Sequence, residues 1–145
     1  MLNHVQNRLR TVARSAGVAA AGAALAVGVG AGTANAAAYN WSATNTSADI
    51  VGAYGWGTVD QADRFFVEVN VRDTASDSHG ARVYLKATYN DGGVRTENRS
   101  ASGLNDEDSY TYNFAGNVIK FEVQECLTEG GAKYRCAGWH KIYPR

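Results

Sequence analysis

The chain has 145 residues, with 14 Lys and Arg balanced by 14 Asp and Glu, and only two cysteines. A formally neutral chain without a run of cations is a poor partner for nucleic acid or anionic membrane surfaces, whose recognition needs clustered positive charge. The two cysteines and the two histidines of the C-terminal three quarters, His79 and His140, lie at spacings foreign to a four-ligand zinc site.

Residues 1–36 read as a cleaved secretory signal peptide. Arg8, Arg10 and Arg14 precede an uncharged Ala- and Gly-rich run that closes on "ANA", the small-residue pattern a signal peptidase needs. The run is too weakly apolar to favour an anchoring helix. The expected product is secreted, extracellular and free of the membrane. It keeps 11 of the 14 Lys and Arg and all 14 Asp and Glu, a formal charge of −3, and all the aromatic residues. About 110 residues with that aromatic supply suffice for one small core.

Residues 37–58 are rich in Ala, Ser, Thr, Asn and Gly, with Tyr39, Trp41, Tyr54 and Trp56 set among them. A segment of this kind is an N-terminal arm, an edge strand, or a strand offered to a partner. A sandwich domain is expected over 59–145. In "RFFVEVNVRD", Phe65, Val67, Val69 and Val71 alternate with polar residues, the period of a strand with one wet face. "ARVYLKATY" repeats the pattern with Ala81, Val83, Leu85, Ala87 and Tyr89, and "NVIKFEVQE" is expected to turn Ile119, Phe121 and Val123 inward. With the weaker segments "YNWSAT", "AYGWGTVDQ", "VRTENRSA", "SYTYNF" and "KYRCAGWHKIY" this makes about eight short strands separated by turn residues. The fold class is therefore all-β, an antiparallel β-sandwich of immunoglobulin-like or jelly-roll-like kind.

Cys126 and Cys136 in an exported chain are expected to form one disulfide. Placed opposite each other on antiparallel strands, they define a C-terminal hairpin with the three-residue loop "GGA" at 130–132. That register sets Glu122 opposite His140 and Val123 opposite Trp139.

Few residues suggest chemistry. Asp73, Asp77 and His79 in "VRDTASDSHGARVY" offer two carboxylates and an imidazole, but Asp, Ser and Gly are also turn formers, and the stretch reads as the connector of an antiparallel strand pair. His140 reads as an ion pair with Glu122 rather than a triad base. The acidic run Asp106, Glu107 and Asp108 could supply oxygen ligands to calcium, or simply cap two strands. No nucleophile elbow, phosphate loop or zinc-protease motif occurs, so neither metal nor cofactor is expected and an enzyme is not the favoured class. Aromatics carry more promise. "YGWG" at 54–57 and "YTYNF" at 110–114, with Tyr110 and Tyr112 on one face, could stack on sugars or anchor an interface, as could Tyr39 and Trp41. Sequons at Asn40, Asn45 and Asn98 carry little weight behind a leader of bacterial kind.

The Ala/Gly-rich leader, the run "VRDTASDSHGARVYLKAT" and the late cysteine pair resemble the small secreted β-domain proteins of filamentous, Streptomyces-type actinobacteria. Some of these resemble adaptor subunits of secreted toxin particles, which join partners partly by donating an N-terminal strand. The resemblance implies a non-enzymatic interaction module whose partner is another secreted protein. A small carbohydrate-binding protein taking a cell-surface glycan is the alternative, and a secreted enzyme inhibitor or small hydrolase a further one.

Overall fold

The computed structural model describes residues 36–145, so the expected signal peptide lies outside the described residues except for Ala36. No helix among the described residues is long and apolar enough to cross a membrane. Nine strands follow in order among the described residues: β1 (Ala36–Ser42), β2 (Ala53–Gln61), β3 (Phe65–Asp73), β4 (Gly80–Tyr89), β5 (Val94–Ala101), β6 (Glu107–Phe114), β7 (Val118–Glu129), β8 (Ala132–Cys136) and β9 (His140–Tyr143). They form two antiparallel sheets, β1-β2-β3-β6 (sheet A) and β5-β4-β7-β8 (sheet B), with β9 also paired to β7. The division expected at residue 58 falls inside β2, whose residues pair with β3 along its whole length, and β1 is an edge strand of the same sheet.

The alternating apolar residues meet between the sheets. Phe65, Val67, Val69 and Val71 of β3 face Val83, Leu85 and Ala87 of β4 and Phe121 and Val123 of β7, all essentially dry. Phe121 is the centre of an aromatic cluster, packing edge-on to Phe65 at 5.3 Å and to Phe114 at 5.0 Å, the arrangement in which one ring's positive edge meets another's negative face. Both open sides of the sandwich are closed. Tyr112 donates its hydroxyl to Asn98 O at 2.7 Å to join β6 to β5, and Tyr39 donates to Ile142 O at 2.8 Å to join β1 to β9.

Several local expectations are corrected. Ile119 is exposed and Val118 is buried instead, because the β4–β7 ladder slips at Thr88/Tyr89 and so exchanges which residues of β7 face inward at that end. The Cys126–Cys136 disulfide and its direct opposition are present, but the loop is the two-residue Gly130-Gly131. Both glycines have positive φ, 55° and 80°, which a two-residue primed turn demands, and a one-residue slip between Leu127 and Thr128 absorbs the difference. The segment expected as one last strand is two. Ala137 N still donates to Glu125 O of β7, but Gly138 N donates to Ser47 O, which takes the chain off the ladder before β9 begins. In consequence His140 stands opposite Val123, and Glu122 faces Lys141. Finally, β3 and β4 lie in different sheets, so the Asp73–His79 connector crosses the sandwich and is not the turn of a hairpin.

The slip in β7 is checked by a pair of substitutions. Phe121→Ala, emptying the cluster, is expected to cost about 3–5 kcal/mol in urea unfolding, whereas Ile119→Ala should stay within about 0.5 kcal/mol of the parent. A large loss at Ile119 would contradict this register.

Candidate functional site

A groove of about 500 Å³ crosses the outer face of sheet A, lined by Asn40, Trp41 and Ser42 of β1, Tyr54, Trp56, Gly57 and Thr58 of β2, and Glu68 and Asn70 of β3. Its construction follows from the alternation of β2. Ala53, Gly55, Gly57 and Val59 point into the sandwich, which leaves Tyr54, Trp56 and Thr58 outside. Tyr54 and Trp56, two residues apart, stack on each other with centroids 4.7 Å apart and planes 18° from parallel. They form a ridge standing on the sheet, with the Arg72 guanidinium 5.5 Å from the Trp56 ring on the next strand. Around it are the polar groups of the groove. Asn70 Nδ2 donates to Trp56 O at 3.3 Å and Thr58 Oγ1 donates to Glu68 Oε2 at 3.3 Å, which orients both side chains without consuming all their capacity.

The two glycines of "YGWG" have inward tasks. At Gly57 a β-carbon would collide with Glu68 O and come within 3.0 Å of Trp41 Nε1, so glycine clears the path along which the Trp41 indole reaches across β2 to donate to Glu68 O at 3.3 Å. At Gly55 a β-carbon would lie 2.6 Å from Val83 Cγ2 and 3.2 Å from Glu125 Oε1. That space is taken by Glu125, a fully buried side chain of β7. Its Oε1 accepts the Gly55 N–H at 2.6 Å and its Oε2 the Ile50 N–H at 2.9 Å, so one carboxyl from sheet B holds both the loop entering β2 and the peptide between the two groove aromatics. Burial raises the Glu125 pKa to about 7, against the opposing pull of those two backbone donors, and nearby Asp49 raises it further.

The other aromatics singled out from sequence are placed elsewhere. Trp41 is buried and contributes to the groove chiefly its edge and its bond to Glu68. Tyr39 helps line a smaller cavity of about 180 Å³ with His140 and Arg145, and the Arg145 guanidinium lies 4.2 Å from its ring. Burial raises the Tyr39 pKa, which Arg145 partly offsets. Tyr110 and Tyr112 point towards the β5–β6 seam, not towards the groove. Tyr112 is buried there, and Tyr110 is half exposed under the Arg99 guanidinium, 4.5 Å from its ring centre.

The acidic candidates diverge. Asp106 accepts from Ser102 N, Glu107 pairs with Arg72, and Asp108 pairs with Arg99, so the three carboxyls serve three partners. No group of three or more His, Cys, Asp or Glu side chains arranged to hold a metal ion occurs among the described residues. Asp73 is buried and accepts Ala75 N and Gly103 N, which knits the β3–β4 crossing to the β5–β6 loop. Asp77 accepts His79 N, while the His79 ring stacks on Tyr134 at 4.4 Å. Asp77 and His79 are thus partners of each other within the turn, whereas Asp73 serves the β5–β6 loop, and the three do not converge on one point.

Comparison of the chain with protein-family models, with curated proteins and with solved structures finds no match.

Glu125 makes the base of the groove sensitive to pH. The folded chain holds a proton on Glu125 up to about pH 7 that the unfolded chain, at an ordinary glutamate value of 4.5, releases earlier. Stability from this group is therefore complete below the unfolded value and falls as pH rises through the folded one. Thermal melts are expected to show the parent losing about 3 kcal/mol relative to Glu125→Gln across that window. Parallel pH profiles for the two proteins would rule it out.

Proposed function

We propose that the protein is an exported, non-enzymatic binding module that recognises carbohydrate in the groove of sheet A. The observation that carries this reading is the stacked Tyr54–Trp56 ridge beside the amides of Asn40 and Asn70 and the carboxylate of Glu68. A sugar ring has apolar C–H faces and a rim of hydroxyls. It is matched by an aromatic surface next to groups that both donate and accept hydrogen bonds. The remaining carboxylate capacity of Glu68 and the amide groups of Asn40 and Asn70 are of that type. The groove is a shallow surface feature built from strands, so little reorganisation of the backbone accompanies occupation.

Binding without turnover is favoured because Glu68 is the one carboxylate among the groove's lining residues, where hydrolysis of a glycosidic bond generally uses a pair. Export is part of the proposal, and the Cys126–Cys136 bond supports it, since disulfides persist in oxidising compartments. The adaptor reading, with residues 37–58 as a donated strand, has less support. β1 is already hydrogen-bonded to β2, and its release would withdraw the Trp41 indole from the sandwich and from Glu68 O. Exposing that buried tryptophan carries a substantial loss of burial energy.

The test is a glycan array followed by titration of a retained oligosaccharide. The parent is expected to bind, Trp56→Ala to lose roughly tenfold or more in affinity while keeping its melting behaviour, and Tyr110→Ala to bind as the parent does. Equal binding by the parent and Trp56→Ala, or retention of no glycan at all, would refute the reading.

A further inference from the structure

The mature chain is formally acidic, but its charges are not evenly spread. In an antiparallel ladder directly opposed residues share a face, so the register sorts every charge of a strand to the inside or the outside. On β4, Arg82 and Lys86 point outward. Lys120 shares their face because it stands opposite Thr88, and Lys141 because it stands opposite Glu122, itself the partner of Lys86. Lys133 joins them through Thr128, whose partner on β4 is Gly80. Against these five cations the paired outward positions of sheet B hold one carboxylate, Glu122. Burial works to raise its pKa, but hydrogen bonds from Lys86 and Lys120 prevail and hold it below the ordinary glutamate value, so it stays ionised. On the outer face of sheet A the balance reverses, with Asp60, Glu68 and Glu107 against Arg72.

Three of the five cations, Lys86, Lys133 and Arg82, are held in place by rings or neutral hydrogen-bond partners. Lys86 Nζ lies 4.0 Å from the Trp139 ring centre, and Lys133 Nζ lies 4.0 Å from that of Tyr84. Arg82 donates to Ser100 Oγ at 2.6 Å, to Tyr84 OH at 3.2 Å and to Gly131 O at 3.1 Å, neutral partners that leave its charge uncompensated. A charge immobilised before binding loses less entropy when an anion arrives.

We propose that the outer face of sheet B is a second binding surface, which takes a linear polysaccharide carrying carboxylate groups. Charge complementarity selects an anionic polymer, and the aromatic rings select its class. Tyr84 is 9% exposed beneath Arg82 and Lys133, and Lys86 sits over the half-buried Trp139 ring, so these rings offer little surface for the base stacking that single-stranded nucleic acid uses. A polyuronate-like chain needs cations for its carboxylates and small polar groups for its hydroxyls. Thr88, Thr96 and Asn98 supply the latter on the same face.

Carboxymethyl-dextran and unmodified dextran share one backbone and differ in charge, which makes them the probes. The parent protein is expected to bind the first and not the second, and to lose affinity steeply as salt rises from about 50 to about 200 mM. Lys133→Glu with Lys141→Glu, both at exposed positions, should weaken binding by roughly tenfold or more, and the gentler K133Q/K141Q pair by less. Arg64→Glu, a charge reversal in the β2–β3 turn, should bind as the parent does. Equal binding by the parent and K133E/K141E would overturn the proposal, as would equal binding of both dextrans. Tighter binding of oligo-dT, lost in the same double variant, would also overturn it, by assigning the face to nucleic acid.

Discussion

The ladder's period of two is the constraint on which the rest of the structure depends. A strand in a two-layer sandwich has one dry side, and a residue's parity in the register decides whether it joins the core or faces solvent. In β2 the dry side falls to Ala53, Gly55, Gly57 and Val59, and so the stacked Tyr54 and Trp56 stand outside. In β6 the parity is opposite in effect: Tyr112 and Phe114 face inward opposite Val67 and Phe65, and become part of the seam and the core. Two similar aromatic repeats therefore serve different purposes because their strands sit differently in the sheet.

Small residues on the dry side are as consequential as large ones. Glycine at 55 admits the Glu125 carboxyl between the sheets, and glycine at 57 admits the Trp41 indole across β2. Both intrusions satisfy polar backbone groups near the groove, and both couple the groove to the far sheet or to the edge strand. Glu125 is the more exposed to chemistry of the two, because a carboxyl with a pKa near 7 changes charge in a range where ordinary glutamates do not. The groove and the core are thus not independent parts of the molecule.

The two outer faces have opposite electrostatic character, with carboxylates prevailing on sheet A and lysines on sheet B. Screening confines such fields to about 8–10 Å at moderate salt, so a ligand at one face is little affected by the other. A domain of this thickness can in that way present a polar aromatic groove on one side and a cationic surface on the other without mutual interference.

By itself the sequence determined the class of fold, most inward-facing sets and the cysteine pair, because alternation over eight or nine residues and an even cysteine count are local signals. Phe65, Val67, Val69 and Val71, and the opposition of Cys126 to Cys136, were legible for that reason. Tyr54 and Trp56 were legible as neighbours on one side of a strand, though not as a stacked ridge beside Asn70 and Glu68 of another strand. What only the tertiary structure decided depends on register and on contacts between distant segments. One-residue slips exchanged Val118 for Ile119 and moved His140 from Glu122 to Val123. The burial of Glu125 beneath Gly55 rests on a contact 70 residues apart in the chain, and nothing near either residue announces it. The cationic face likewise gathers lysines and an arginine from four strands, each unremarkable in its own segment, and only pairing brings them to one surface.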